Sequence, residues 1–123
     1  MALRNDLTTQ VLTRSLDAAA LRQRVAARNI ANLETPGYHR QEVLFEDQLA
    51  AVLEAPSEGP ASPELPQAIL QDDPAPGRAD GNNVSVDREM AELSENALRY
   101  DALLRSVAAR GAILQTVITE GRK

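Results

Sequence analysis

Proline placement constrains this chain more than any other feature of its sequence. Of its seven prolines, six lie between residues 56 and 76, and the remaining one is Pro36. A helix does not continue through proline, because proline lacks the amide donor and its ring clashes with the preceding turn. The Pro-free flanks are rich in Ala, Leu, Arg and Glu, which favour helix. The sequence therefore predicts a helix, an irregular middle and a second helix.

The predicted fold class is all-α, with long N-terminal and C-terminal helices packed as a coiled-coil-like hairpin. The middle is expected to be irregular, with a short β strand or arm and one or two helical turns after residue 38, and to be extended or disordered across its prolines. Four segments follow: residues 1–33, the N-terminal helix of a core domain; 34–53, a turn and arm; 54–80, an acidic Pro-rich linker; and 81–123, a turn and the C-terminal helix.

The first helix is predicted over residues 6–32, with two apolar stripes at helical spacing. The first stripe contains Leu12, Leu16, Ala19, Ala26, Ile30 and Leu33. The second contains Leu3, Leu7, Val11, Ala18, Leu21 and Val25. One partner helix cannot cover both stripes.

The second helix is predicted over residues 85–119, with Ser85 as its N-cap. Its apolar residues repeat in alternating steps of four and three, which is typical of a left-handed helical seam. The seam consists of Val86, Met90, Leu93, Ala97, Tyr100, Leu104, Val107, Gly111, Leu114 and Ile118. Gly111 is either a tolerated weak point in the helix or a place where another backbone approaches closely.

Composition excludes several classes of protein. The chain has no Cys and no Trp, one Phe and two Tyr, so a disulfide framework and a thick aromatic core are ruled out. The net charge is −5 without a clustered basic patch, which argues against nucleic-acid binding. No apolar run approaches the roughly 18 residues that span a bilayer, and residues 1–10 lack the layout of a cleavable signal.

A catalytic or metal site is not expected. His39 is the only histidine, and no nucleophile or paired carboxylate accompanies it in a known motif. The acidic pairs Asp72-Asp73 and Glu46-Asp47 lack the spacing of a calcium loop, so solvated loop charge is the favoured interpretation. We therefore expect no enzyme activity and no cofactor.

Asn29 and Asn32 allow two interpretations. They could simply finish the first helix before Thr35-Pro36-Gly37-Tyr38, whose Pro-Gly pair suits the centre of a type II turn. Alternatively, their amides could bind a neighbouring chain or the returning arm. Local chemistry favours the first interpretation.

Two helices of this length without a third layer leave apolar surface uncovered. We therefore expect neighbouring molecules to complete the fold, as in a subunit of a helical assembly, and the ends of an isolated chain to be largely disordered.

Two motifs resemble those of the bacterial flagellar basal-body rod protein family, and the short length is most like its proximal member. The first matches N-I-A-N-x-x-T-P-G-Y and consists of Asn29, Ile30, Ala31, Asn32, Thr35, Pro36, Gly37 and Tyr38. The second includes Asp80, Gly81, Asn82 and Val84 and precedes the second helix. The Pro-rich middle between the two matching regions, roughly residues 10–50 and 80–120, resembles nothing in that family.

The resemblance implies a structural subunit that self-assembles through its terminal helices and transmits motor torque. It implies as partners other rod subunits, further copies of the chain, proteins at the junction of membrane ring and rod, and the type III export apparatus. The location implied is the rod on the periplasmic side of the inner membrane, reached without a cleaved signal. Helix packing is assigned to Leu12, Leu16, Ile30, Leu93, Tyr100, Leu104, Val107 and Leu114.

The alternatives are another flagellar rod subunit and a cytoplasmic coiled-coil adaptor whose acidic middle recruits a partner. The adaptor shares the apolar seam but gives no reason for the first motif. A wall-remodelling hydrolase is disfavoured because no acid, base or metal constellation is recognisable.

Overall fold

The computed structural model of the chain describes residues 6–56, 59 and 63–122. In chain order, the elements are α1 (Leu7–Ala31), β1 (Gln41–Leu44), α2 (Glu46–Glu54), β2 (Ile69–Asp72) and α3 (Val86–Glu120). Leu3 of the second stripe and residues 57–58 and 60–62 of the expected linker lie outside the described residues.

Both long helices begin at residues whose side chains cap them. Asp6 accepts a hydrogen bond from the backbone N–H of Thr9 at 2.8 Å, and α1 ends at Asn32 as the C-cap. Hydrogen bonds from Thr9 lower the pKa of Asp6. At α3, the Ser85 hydroxyl accepts from the backbone N–H of Arg88 at 3.4 Å. These contacts satisfy amide groups that have no partner within the helix.

The two long helices pack against each other in antiparallel orientation. Asn29 near the end of α1 meets Glu89 near the start of α3, while Asp6 at the start of α1 pairs with Arg110. With 25 and 35 residues, α1 and α3 are roughly 38 and 53 Å long at about 1.5 Å per residue. Residues 111–120 of α3 therefore continue beyond the level of Asp6.

Strands β1 and β2 form a two-stranded antiparallel sheet in which Gln41 pairs with Asp72 and Leu44 with Ile69. The arm thus contains a strand and then the short helix α2. Strand β2 lies within residues 54–80, which the sequence predicts to be extended or disordered, and its pairing with β1 is not part of that prediction. The reason is that β1 supplies hydrogen-bond partners to β2 from a distant part of the chain, and local composition does not reveal such pairing.

The core is thin and consists of small side chains. Ala18, Ala19, Val25 and Ala26 are its buried apolar residues on α1, and Phe45 is its buried aromatic residue among the described residues. Members of both α1 stripes are therefore covered. Small side chains allow close approach, but they remove little apolar surface from water.

Candidate functional site

The first motif forms a tight turn directly after α1. Asn32 donates from Nδ2 to the Arg28 carbonyl at 2.8 Å and accepts from the Thr35 hydroxyl at 3.1 Å. The Tyr38 N–H donates to the Thr35 carbonyl at 3.2 Å, and Gly37 has φ 73°. This bond and this positive φ are the features of a type II turn with glycine in its third position. Asn32 thus finishes the helix, as the first interpretation holds.

Asn29 follows the second interpretation, because it binds the returning arm. Its side chain is buried and donates to the Gln41 carbonyl at 2.9 Å and to Glu89 Oε2 at 3.2 Å. Its Oδ1 accepts from the Tyr38 hydroxyl and from the Gln41 N–H, each at 3.0 Å. One amide therefore joins α1, β1 and α3. Burial raises the pKa of the Tyr38 phenol.

The second motif docks onto the first through Asn82. This residue is fully buried, and its Nδ2 lies 2.8 to 3.0 Å from the carbonyl oxygens of Asn32, Leu33 and Thr35. Its Oδ1 accepts from the Val84 N–H at 2.8 Å. Asn82 therefore binds the C-cap residue of α1 and the turn that follows it.

The two turns meet backbone to backbone at their glycines. The Gly37 N–H donates to the Asp80 carbonyl at 2.8 Å, and Gly81 has φ 85°. A Cβ placed on Gly81 would lie 3.4 Å from Gly37 Cα. Glycine suits both positions because it adopts positive φ without a steric penalty.

A buried ionic group holds the arm to α3; we call it the Arg40 cluster. Arg40 is 2% exposed and donates from Nε to Glu89 Oε1 at 2.7 Å, and Glu89 is fully buried. The cluster consists of Arg40, Glu42, Asp73, Arg88, Glu89 and Glu92, joined by ion pairs. Arg40, Asp73 and Glu89 are the buried members, and buried charges require such partners, because leaving one unpaired is strongly destabilising.

The cluster changes the ionisation of its members. Burial by itself lowers the pKa of Arg40, but hydrogen bonds to Glu89 and Asp73 outweigh it and raise the pKa. The Ala75 N–H and then the Arg40 guanidinium hold the pKa of Asp73 below its usual value. Both groups are therefore held in their charged forms, which suits a structural clamp rather than proton transfer.

Several curated proteins resemble the chain over most of its length. The flagellar basal body rod protein FlgB of Bacillus subtilis is 33% identical, and the match covers 94% of this chain and 95% of that protein. The chain belongs to the FlgB family of flagellar basal body rod proteins. FlgB of Escherichia coli is 29% identical over 87% of this chain and 89% of its own, and FlgB of Salmonella typhimurium is 26% identical over 96% and 97%. No family model matches.

Membership confirms the resemblance drawn from the two motifs. The names of these FlgB proteins describe a rod component and no catalytic activity. Within the described part of the chain, no group of three or more His, Asp or Glu side chains is arranged to hold a metal ion. The helices described are too short or too polar to cross a membrane.

The residues assigned to helix packing fall into two groups. Leu12, Leu16, Ile30, Leu93 and Leu114 are half-buried within the chain. Tyr100, Leu104 and Val107 instead remain 37%, 43% and 39% exposed. Glu89, Asn96 and Arg110 bind residues of α1, and Leu103 shares their heptad position. Much of the apolar seam of this FlgB-family chain therefore lies beside the helix contact rather than in it.

Several residues that hold the junction together escape the sequence analysis. Arg40, Glu89 and Asn96 are among them, and so is Arg78, which donates to the Leu33 and Val84 carbonyls at 2.6 Å each. Asp73, which the sequence predicts to be solvated loop charge, is instead buried, because Arg40 and Arg88 pair with its carboxylate. One signal was available: Glu89, Asn96, Leu103 and Arg110 repeat every seven residues, immediately before four members of the apolar seam. A second heptad register beside the first marks a helix with two contact faces.

Proposed function

We propose that this chain is a structural subunit of the proximal rod of the flagellar basal body and that it transmits torque through close-packed helices. FlgB family membership supports the proposal. The observation that carries it further is the exposure of the α3 seam, where Tyr100, Leu104 and Val107 form what we call the outer stripe.

The outer stripe is the surface on which neighbouring subunits would pack. Full burial of an exposed apolar side chain contributes about 1.5–3 kcal/mol, and a neighbour would cover the roughly 40% that each of these three side chains still exposes, so each position adds a fraction of that value in every subunit. The heptad spacing suits a coiled-coil-like contact with a helix of the neighbour. Close-packed long helices would resist shear, because protein interiors are packed as densely as organic crystals and deform little.

The two motifs would set the direction in which the arm leaves the helices. Asn29, Asn82 and the Gly37–Gly81 contact hold the end of α1, the start of β1 and the start of α3 together. A rigid junction at this point gives each subunit the same shape, which a repeating assembly requires. The terminal helices would act as one core domain, with the arm and linker as its extension.

The partners and location follow from the family. We place the subunit in the rod on the periplasmic side of the inner membrane, in contact with other rod subunits and with proteins at the ring junction. Export would use the flagellar type III apparatus, through which the chain passes unfolded. A thin core of small side chains is compatible with such passage, because little buried surface has to be exposed.

Fractionation tests the proposal directly. A tagged wild-type chain expressed at its normal level should copurify with intact hook–basal bodies after detergent and alkaline extraction. Recovery of the chain in the soluble cytosolic fraction alone would contradict it and favour the coiled-coil adaptor. Immunogold labelling of the purified basal bodies then separates the proximal position from other positions along the rod.

A further inference from the structure

Strand β2 lies at an open edge of the two-stranded sheet. All four of its residues are exposed, and its apolar members Ile69 and Leu70 are 50% and 41% exposed. Natural edge strands are usually protected by lysine, proline, a bulge or a covering element. Strand β2 contains neither lysine nor proline, and its register with β1 is regular. Its edge is therefore available for pairing with another strand.

The register of the sheet shows which backbone groups of β2 point outward. In an antiparallel pair of strands, residue pairs that exchange both hydrogen bonds alternate with pairs that exchange none. The Asp73 N–H donates to the Arg40 carbonyl at 2.8 Å, so this pair is hydrogen-bonded, and Leu70 and Asp72 belong to the alternate pairs. Their backbone N–H and C=O groups point away from β1. No group among residues 6–56, 59 and 63–122 forms a hydrogen bond with them.

The opposite edge of the sheet is already occupied. Gln41 of β1 points outward there, and its N–H and C=O groups both bind the Asn29 side chain. The outward carbonyl of Val43 accepts from Arg22 Nη2 at 3.4 Å. Helix α1 thus covers β1, and within the described part of the chain the free strand edge is that of β2. A second copy of the chain can therefore pair with this edge only through its own β2.

Two β2 strands are complementary when they run antiparallel with Leu70 opposite Leu70 of the other copy. The outward N–H and C=O groups of the two leucines then bind each other, and their side chains meet across the strands. Asp72 lies opposite Ala68 of the other strand, which keeps the two carboxylates apart. A register centred on Gln71 would instead place each leucine opposite a carboxylate. The sequence of β2 therefore favours the register centred on Leu70.

Such pairing would also strengthen the sheet. Two isolated strands are marginally stable, whereas three or more strands with an apolar face hold together. The paired strands would form one continuous sheet of four strands, with β1 on each outer side. The exposed parts of Ile69 and Leu70 would gain apolar neighbours.

We propose that two copies of the free chain dimerise through β2, with the strands antiparallel and Leu70 at the twofold axis. The inference goes beyond the proposed function. A twofold contact closes on itself, whereas growth of a rod requires head-to-tail contacts. The dimer therefore belongs to the free chain, and the outer stripe remains the surface for rod neighbours.

The first test uses disulfide trapping in the purified full chain, which has no cysteine of its own. In the proposed dimer the two Leu70 Cα atoms lie about 5.5 Å apart, a distance that a disulfide spans. The two Asp72 residues are four positions out of register, or about 13 Å apart. Under copper–phenanthroline oxidation, Leu70→Cys should therefore crosslink at least tenfold faster than Asp72→Cys, which is the matched control at an exposed position of the same strand. Equal rates would overturn the proposal.

The second test measures dimerisation by sedimentation equilibrium. Leu70→Pro removes an N–H that β1 does not use, so the sheet is retained while the dimer loses a backbone bond. This variant should raise the dissociation constant at least tenfold above that of Leu70→Ala, which also removes the leucine side chain but keeps the N–H. Circular dichroism should show the same helix content for both variants.

Three results would contradict the dimer. The wild-type chain could stay monomeric at its highest soluble concentration, or Leu70→Pro and Leu70→Ala could dimerise equally well. A dimer that Leu104→Asp abolishes and Leu70→Pro does not would be formed by the outer stripe instead of β2. Absence of the chain from basal bodies would refute the proposed function and leave the inference about β2 standing.

Discussion

Asn82 illustrates how polar side chains, rather than apolar bulk, hold this fold together. It lies at the start of the C-terminal segment, yet it binds three carbonyl groups at the C-cap of α1 and in the turn that follows. Asn29 has the reciprocal role, since it binds β1 and α3 from α1. An amide can donate and accept at once, so a single residue can join elements that are far apart in the chain.

Replacing Asn82 with Ala should lower the free energy of unfolding by about 1–3 kcal/mol, because it leaves the buried Val84 N–H without its acceptor and removes the amide that joins the two turns. Urea unfolding followed by circular dichroism measures the change. Gln115→Ala, at an exposed position on α3, is the control and should change stability by less than about 0.5 kcal/mol. Equal stability of Asn82→Ala and the wild type would show that water replaces the amide without loss.

The lowered pKa of Asp73 predicts how the stability of the fold depends on pH. Its pKa in the folded chain is lowered from the ordinary 3.8, so the unfolded chain binds a proton more readily. The charged Asp73 carboxylate therefore stabilises the folded chain above about pH 4, and this stabilisation is lost as the pH falls through the folded pKa. We expect Asp73→Asn to be less stable than the wild type at pH 7, and the difference to shrink toward pH 3. Urea titrations across this range would contradict the prediction if the difference stayed constant.

At the scale of elements, α3 presents two faces in adjacent heptad registers. The face toward α1 is partly polar, because Glu89, Asn96 and Arg110 lie on it with Leu103. The outer stripe lies beside it and is exposed. One helix therefore serves both the fold of its own chain and a contact surface for another.

Placing a charge in the seam should separate assembly from folding. Leu104→Asp or Leu114→Asp should abolish motility while leaving export substantially intact, because burying an unpaired carboxylate costs several kcal/mol in the assembled rod. Arg105→Asp introduces the same side chain at a 79% exposed position outside the seam and is the control. Swimming assays and immunoblots of exported protein give the readouts. Normal swimming of both Leu variants would mean that the seam is not an assembly surface.

Gly111 lies within α3, and apart from the local helix backbone no atom lies within 4 Å of the position that a Cβ would occupy. The folded chain therefore has space for a larger side chain at this position. Gly111→Ala should stabilise the isolated chain by up to about 1 kcal/mol, because alanine has the higher helix propensity. Urea unfolding checks this value. Incorporation of the same variant into basal bodies then separates the two interpretations of Gly111: reduced incorporation indicates close approach by a neighbour, and unchanged incorporation indicates a tolerated weak point. A loss of stability in isolation would contradict the prediction.

At the scale of the whole molecule, two long helices share a thin core with a small sheet. Phe45, Leu65 and Val84 add to the alanine-rich contact of α1, and most of α3 after Asn96 is exposed. Such a chain gains its remaining apolar burial only from other molecules, so its stability should depend on concentration and on partners.

Hydrogen exchange on a dilute monomer should therefore reveal uneven stability. Amides of residues 111–120, which continue past Asp6, should exchange with little protection, whereas amides near Glu89 should be protected. Local opening is easiest where tertiary contacts are few. Thermal unfolding should be broad for the same reason. A single sharp transition with uniform protection along α3 would contradict this expectation.

Local chemistry determined the parts of the structure that the sequence predicts well. Asp6, Ser85 and Asn32 fix the helix ends through contacts within a few residues, and Thr35-Pro36-Gly37 closes its own turn. The apolar period likewise identifies α3 as a long helix. These features depend on neighbours in the chain, so they can be read from the order of residues alone.

Tertiary structure alone decided which distant groups meet. Strand β2 forms because β1 is beside it, Asn29 turns toward the arm rather than only ending α1, and Arg40 finds Glu89 across the fold. It also decided that Glu89, Asn96 and Arg110 face α1 while the outer stripe remains exposed. Each of these outcomes depends on closing a long stretch of chain so that several polar groups are satisfied together, a condition that no local pattern of residues expresses.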